Sequence, residues 1–142
     1  MAVDTYTADD TWVCPSGVTS VDVECWGSGS GGRAGAPLAG GRGGGGGAYS
    51  IKLAIAVTPT VGYTVVVGAA GAAGASGADS YFDSAATVMA KGGNAHTGGA
   101  SASGVGDTKY SGGNGGVSAG KSRGGAGGGS SAGTSANGNT GS

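Results

Sequence analysis

The chain has 142 residues, enough for one domain, and 37 of them are glycine, about a quarter against roughly 7% in an average protein. Lys and Arg number 7 and Asp and Glu 8, a net charge of −1, which argues against a nucleic-acid or membrane surface held by electrostatics. No apolar stretch approaches the ~20 residues of a membrane span, and the start MAVDTYTADD lacks the basic and apolar regions of a signal peptide, so synthesis in a cytoplasm without general secretory export is expected.

Residues 1–26 read as the start of a β domain. Val3–Thr7 is predicted as a short strand, Asp9-Asp10 as a turn, and Thr11–Cys14 as a second strand ended by the turn chemistry of Pro15-Ser16-Gly17. Val18 to Trp26 then alternates, with Val21, Val23 and Cys25 on one face and Asp22, Glu24 and Trp26 on the other, as in an antiparallel sheet with one buried side.

Residues 27–48 are a glycine-rich excursion too long for an ordinary connection. They read as an out-and-back pair of extended helices turning near Pro37-Leu38. Tyr49–Val57 is the next strand, with Tyr49, Ile51, Leu53 and Ile55 on one face, and Thr58–Gly62 turns the chain into Tyr63–Val67, rich in β-branched residues. Residues 68–77 form a second excursion, with Gly68, Gly71, Gly74 and Gly77 spaced by three. Tyr81-Phe82 and Thr87–Ala90 read as two last short strands. Val21, Val23, Ile51, Leu53, Ile55, Val65 and Val67 are the expected core.

Residues 92–142 have too few large apolar side chains to bury a core, and composition alone reads as disorder. Triplets offer an ordering mechanism. Gly112-Gly113-Asn114-Gly115-Gly116-Val117 and Gly124-Gly125-Ala126-Gly127-Gly128-Gly129 have the three-residue period of a polyproline II helix. With glycine at two of three positions such helices pack backbone to backbone and satisfy each other's N–H and C=O groups, with the third residue outward. The whole stretch is expected to be extended, without helix or sheet. Collagen is excluded, because a strict G-X-Y register is absent and the chain has 3 prolines.

Several motifs fail for want of context. Gly115–Ser122 (GGVSAGKS) matches the P-loop string, but that chemistry needs a buried strand before it and a helix after it to hold phosphate, and KYSGGN and RGGAGGG form neither. Gly27–Gly32 matches G-x-G-x-x-G after a strand, but no βαβ unit follows. Arg33, Arg42 and Arg123 beside glycine lack interleaved aromatics for nucleic-acid stacking and read as solvated outward positions. Cys14 and Cys25 have no metal-ligand spacing. They could form a disulfide if folding brings their Cα atoms within about 7 Å, or serve as two small buried hydrophobes. His96 is the only histidine; it and Tyr110 read as exposed side chains that could touch a ligand. The carboxylates fall at turns or wet strand faces. No catalytic set, metal site or cofactor is expected.

The order of motifs is informative. Thr11–Gly27 (TWVCPSGVTSVDVECWG) is followed by a polyglycine run, then Gly47-Ala48-Tyr49, Val57-Thr58-Pro59, Tyr63–Gly68 (YTVVVG), Gly77–Phe82 (GADSYF) and Gly127–Gly133 (GGGSSAG). This resembles the glycine-rich domain of phage tail-fibre and related virion proteins, over most of the chain. Ala69, Ala70, Ala72 and Ala73 depart from the pattern, standing where glycine is usual.

The reading is a mainly β chain with almost no α-helix: one domain over 1–142, a small antiparallel β-sandwich with strands within 1–26, 49–67 and 78–91, and glycine-rich arms 27–48, 68–77 and 92–142 forming a polyglycine or polyproline-II-type helix bundle. The resemblance implies a non-enzymatic structural virion protein (tail-fibre tip, capsid decoration or filament subunit) at the virion surface, acting in assembly or host attachment. Its expected partners are copies of itself, other virion proteins or a host surface glycan or protein. A glycan-binding adhesin and an ice- or surface-binding protein are the alternatives.

Overall fold

A computed structural model describes residues 2–35, 40–118 and 125–142. The strands in chain order are β1 (Asp10–Val13), β2 (Ser20–Trp26), β3 (Tyr49–Ala56), β4 (Gly62–Val66), β5 (Ser80–Phe82), β6 (Val88–Ala90) and β7 (Thr108–Tyr110), with one 3-10 turn at Ser101–Ser103. They form two antiparallel sheets, ordered β1-β4-β5-β6 and β2-β3-β7. The turn into β2 is type II: the Val18 N–H donates to the Pro15 carbonyl at 3.2 Å, and Gly17 takes the required positive φ of 83°.

The sheets face each other, β2 and β3 lying against β5 and β6. Cys14, Cys25, Ile55, Val57, Phe82, Val88 and Ala90 are buried between them, with Trp12, Val18, Val21, Val23, Tyr63 and Val65 packed around. Trp12, Tyr63 and Phe82 have ring centroids 5.5 to 5.9 Å apart, within the range where aromatic pairs attract. Val21, Val23 and Cys25 point inward as the alternation requires.

The expected inner face of β3 is corrected by a bulge. Val21 pairs with Ile55 but Val23 pairs with Lys52, so Leu53 and Ala54 together oppose Asp22. The extra residue reverses the alternation. Ile55 stays inward, whereas Ile51 and Leu53 leave the core and Leu53 is 52% exposed. Val67 also lies outside the core, beyond the end of β4, with its N–H on the Asp9 carboxylate at 2.8 Å. Carboxylates secure the bulge from two sides: Asp22 accepts the Ala54 N–H and Asp107 the Leu53 N–H, each at 2.8 Å. Ala54 sits at φ 51°, where a Cβ is strained. Ala54→Gly is therefore expected to stabilise the chain by about 0.5–1 kcal/mol, read as a raised denaturation midpoint.

Two further corrections concern strands. Val3–Thr7 forms no strand, and the bend falls at Thr7-Ala8, ahead of Asp9-Asp10. Val3 is exposed and the segment has no apolar face to bury; Asp4 instead accepts the Trp12 indole N–H at 3.0 Å. Within 92–142, β7 adds to β3 as a third strand, pairing Tyr110 with Tyr49, and the 3-10 turn precedes it, so this region is not extended helix throughout.

Every arm leaves from one end of the sandwich. The chain goes out after β2 and returns to β3, goes out after β4 and returns to β5, and goes out again after β6 and after β7. Hydrogen bonds join the arms just beyond the strands: Ser28 N–H to Ala78 O, Gly93 N–H to Ser28 O and Ala48 N–H to Lys91 O.

The arms pack with a three-residue step. Gly27, Ser30 and Arg33 donate to Ala48, Gly45 and Arg42, the out-and-back pairing of 27–48; its turn at Pro37-Leu38 lies outside the described residues. Gly71 and Gly74 donate to Gly29 and Gly32; Gly43 and Gly46 donate to Gly116 and Gly113; Gly129 and Ala132 donate to Gly44 and Gly47; Gly138 and Gly141 donate to Ser111 and Asn114. Partners advance by three on both chains, some parallel and some antiparallel, as three-fold helices with radial N–H and C=O groups allow. Of the P-loop string, Gly115 and Gly116 belong to this lattice, and Ala119–Ser122 lie outside the described residues.

The run Gly43–Gly47 is the centre of the bundle. A Cβ at Gly43 or Gly46 would lie 1.9 Å from the carbonyl oxygen of Gly127 or Ser130; at Gly44 or Gly47, 2.0 or 1.7 Å from that of Ser30 or Gly27; at Gly45, 2.0 Å from that of Thr97. Three columns thus meet three different neighbours. A helix enclosed on every side needs glycine at every position, whereas one on the outside needs it only where it faces inward. The second arm shows the contrast: Ala69, Ala70, Ala72 and Ala73 are all exposed.

Both cysteines are free and buried. The Cys14 thiol donates to the Val18 carbonyl at 3.3 Å. Burial pushes the Cys25 thiol up from 9.0 to about 11. The neutral thiol is favoured by folding, so its contribution to stability is complete below pH ~9 and is lost as pH rises through about 11. The melting temperature is expected to fall across that window, with a shallower slope in Cys25→Ala.

Candidate functional site

The distal end of the bundle carries an open cleft of about 230 Å³, lined by Gly31, Arg33, Arg42, Gly43, Gly74, Ala95 and His96. It gathers the ends of three arms. Arg33 and Arg42 are locked opposite one another by reciprocal backbone bonds of 2.8 and 2.9 Å. Directly opposed residues of such a pair project their side chains to one side. Both are exposed, and neither has an ion pair among the described residues.

His96 arrives on a two-residue loop. Asn94 and Thr97 exchange backbone hydrogen bonds of 2.8 Å, leaving Ala95 and His96 at the tip with Ala95 at φ 50°. The Ser30 hydroxyl donates to the Ala95 carbonyl and accepts the Gly45 N–H at 2.7 Å, tying this loop to the first arm. Gly31, Gly43 and Gly74 give the cleft a floor free of side chains.

Tyr110, the other candidate ligand contact, lies elsewhere. It is on β7, stacked on Tyr49 at a centroid distance of 6.2 Å, and Tyr49 meets Trp26 at 5.0 Å. These three rings line the outer face of β2-β3-β7. Tyr49 is buried, and that burial, helped by a hydrogen bond to Glu24, pushes its hydroxyl up to about 12. Trp26 and Leu53 leave an apolar part of the same face exposed.

Arg33 and Arg42 are the solvated outward positions that the sequence predicts, and the structure sets them as an opposed pair. The signal for it lay in the out-and-back reading, since a turn at Pro37-Leu38 sets 33 opposite 42. Nothing local marks His96 as their neighbour. Arg123 lies outside the described residues. Among the described residues no group of three or more His, Cys, Asp or Glu is placed to hold a metal ion, and no helix is long and apolar enough to cross a membrane.

Two antiparallel sheets bearing a one-ended bundle of backbone-packed glycine helices define a glycine-rich β module. The profile described as "Glycine-rich domain" matches residues 3–142, and the chain belongs to that family. No curated protein matches the sequence.

Proposed function

We propose that this chain is a non-enzymatic attachment and assembly module of a virion, with the sandwich as its base and the bundle as a rigid prong. The observation that carries this reading is the one-ended departure of every arm: the bundle holds Arg33, Arg42 and His96 away from the sandwich, on a backbone-bonded support that needs no side-chain core. The resemblance to phage tail-fibre glycine-rich domains agrees with it. So does the partly exposed outer face of β2-β3-β7, where Trp26 and Leu53 offer a surface to another copy or another virion protein. A base and prong of this kind suits a tail-fibre tip, a capsid decoration or a filament subunit. The protein is then made in the host cytoplasm and ends on the particle surface.

Gold-labelled antibody imaging of particles tests this, and the label's position distinguishes fibre tip, capsid and filament. Label at the particle surface is expected; protein confined to the soluble lysate, with unlabelled particles, would overturn the proposal. A host-glycan adhesin is the second reading, favoured by the arm-end cleft. The eight aromatic residues all belong to the sandwich segments, so recognition would rest on charge and backbone polarity and not on sugar stacking.

A further inference from the structure

No acidic side chain lines the cleft. All 8 acidic residues lie in 4–24 and 79–107, and none in 25–78 or 108–142. Arg33 and Arg42 lie in the first of these acid-free stretches. Their backbone pairing fixes two like charges on one side of the bundle, an arrangement that costs free energy unless a counter-charge is supplied. The one ion pair among the described residues, Lys91 with Asp79 at 2.6 Å, sits at the base of the arms. Side-chain counter-charge is therefore not available at the cleft.

The rest of the cleft suits a small oxyanion. Gly31, Gly43 and Gly74 line it with bare backbone, and their N–H groups donate to Ala75, Gly116 and Gly32 within the bundle, so the donors offered to a ligand are the side chains of Arg33, Arg42 and His96. His96 closes one side with a further nitrogen donor or acceptor, held there by a loop that tolerates a left-handed Ala95. The cleft volume of about 230 Å³ has room for an oxyanion with several waters. Guanidinium forks match the paired oxygens of phosphate and sulfate better than a lysine ammonium does.

We infer that Arg33, Arg42 and His96 form an oxyanion-binding site for a phosphate or sulfate group. The group can come as the free ion or as the monoester of a surface sugar. The second source rests on the attachment reading above; the site itself does not.

The test is a titration of the full chain, followed by amide NMR, with inorganic phosphate, inorganic sulfate and glucose 6-phosphate at constant ionic strength, and with chloride as control. Saturable shifts at Gly31, Gly43, Gly74, Ala95 and His96 are expected. Affinity should fall at least about tenfold in Arg33→Ala/Arg42→Ala and partly in Arg33→Lys/Arg42→Lys, because lysine keeps the charge but loses the fork. Unchanged strand amide shifts in each variant establish that it is folded. Tighter binding of glucose 6-phosphate than of phosphate supports the site with a sugar monoester as its ligand, and equal binding supports it with the free ion. Absence of saturable shifts, affinity retained in the double alanine variant, or shifts no larger than with chloride would overturn the inference. Particle labelling would be unaffected by such a failure, so the two readings fail separately.

Discussion

Gly45→Ala is expected to abolish the ordered bundle. The added methyl would stand 2.0 Å from the Thr97 carbonyl oxygen, 2.2 Å from its carbon and 2.7 Å from the Gly98 nitrogen, all backbone atoms that no rotamer change can move. Relief requires the 95–99 segment to retreat. That segment is held on its other side, where Gly115 donates to His96 O and Gly112 to Gly99 O at 2.7 and 3.0 Å. The displacement therefore spreads through neighbouring helices and breaks hydrogen bonds whose N–H and C=O groups have no other partner in a packed bundle. Overpacking a side-chain core costs typically 1–3 kcal/mol, and a backbone-against-backbone clash should cost at least about 3 kcal/mol, a large part of the 5–15 kcal/mol that holds a typical domain. Gly125→Ala is the control: its Cβ meets nothing within 4 Å, so a change within about ±0.5 kcal/mol is expected. Denaturation of the two variants side by side gives the answer. Equal midpoints would mean that the glycine run is not enclosed.

Ile55→Ala should lower stability by about 2–5 kcal/mol and Leu53→Ala by less than about 1 kcal/mol. The two residues are two apart on one strand and of equal size. Ile55 is 9% exposed and packs in the inter-sheet core, whereas the bulge turns Leu53 out to 52% exposure. Truncating Ile55 loses the transfer free energy of its methyl groups and leaves a cavity; truncating Leu53 returns an already wet site to water. Thermal melts of both variants decide the register. A larger loss from Leu53→Ala would place the inner face of β3 on the other side and remove the bulge.

The features that the sequence made legible are those with a local period. Alternation at Val21, Val23 and Cys25 is a property of β2 alone, and the triplets of 112–117 and 124–129 carry their three-residue step in plain view. The out-and-back course of 27–48 followed from its length. What escaped depends on partners distant in the chain. Tyr49–Ile55 alternates without fault, and only the reach of Asp22 and Asp107 to consecutive N–H groups explains why an extra residue sits at Ala54. Thr108-Lys109-Tyr110 is three residues long in a glycine-rich context, and it becomes a strand because β3 has a free edge. The cleft is of the same kind. Its arginine pair was implicit in the turn, but His96 joins it through contacts that no spacing encodes.

Hydrogen exchange tests the central claim most directly, that the glycine-rich arms are an ordered, backbone-bonded bundle continuous with the sandwich. The N–H groups of Gly45, Gly46 and Gly129 each donate to a carbonyl on another arm, and those of Gly113 and Gly116 to carbonyls of a neighbouring helix within the last arm, all at 2.8 to 3.2 Å. Their exchange is predicted to be slowed to within about tenfold of the β2–β3 ladder amides, as expected of groups that open only with the whole structure. Exchange of these glycines at the rate of an unstructured chain, beside protected strands, would contradict the account.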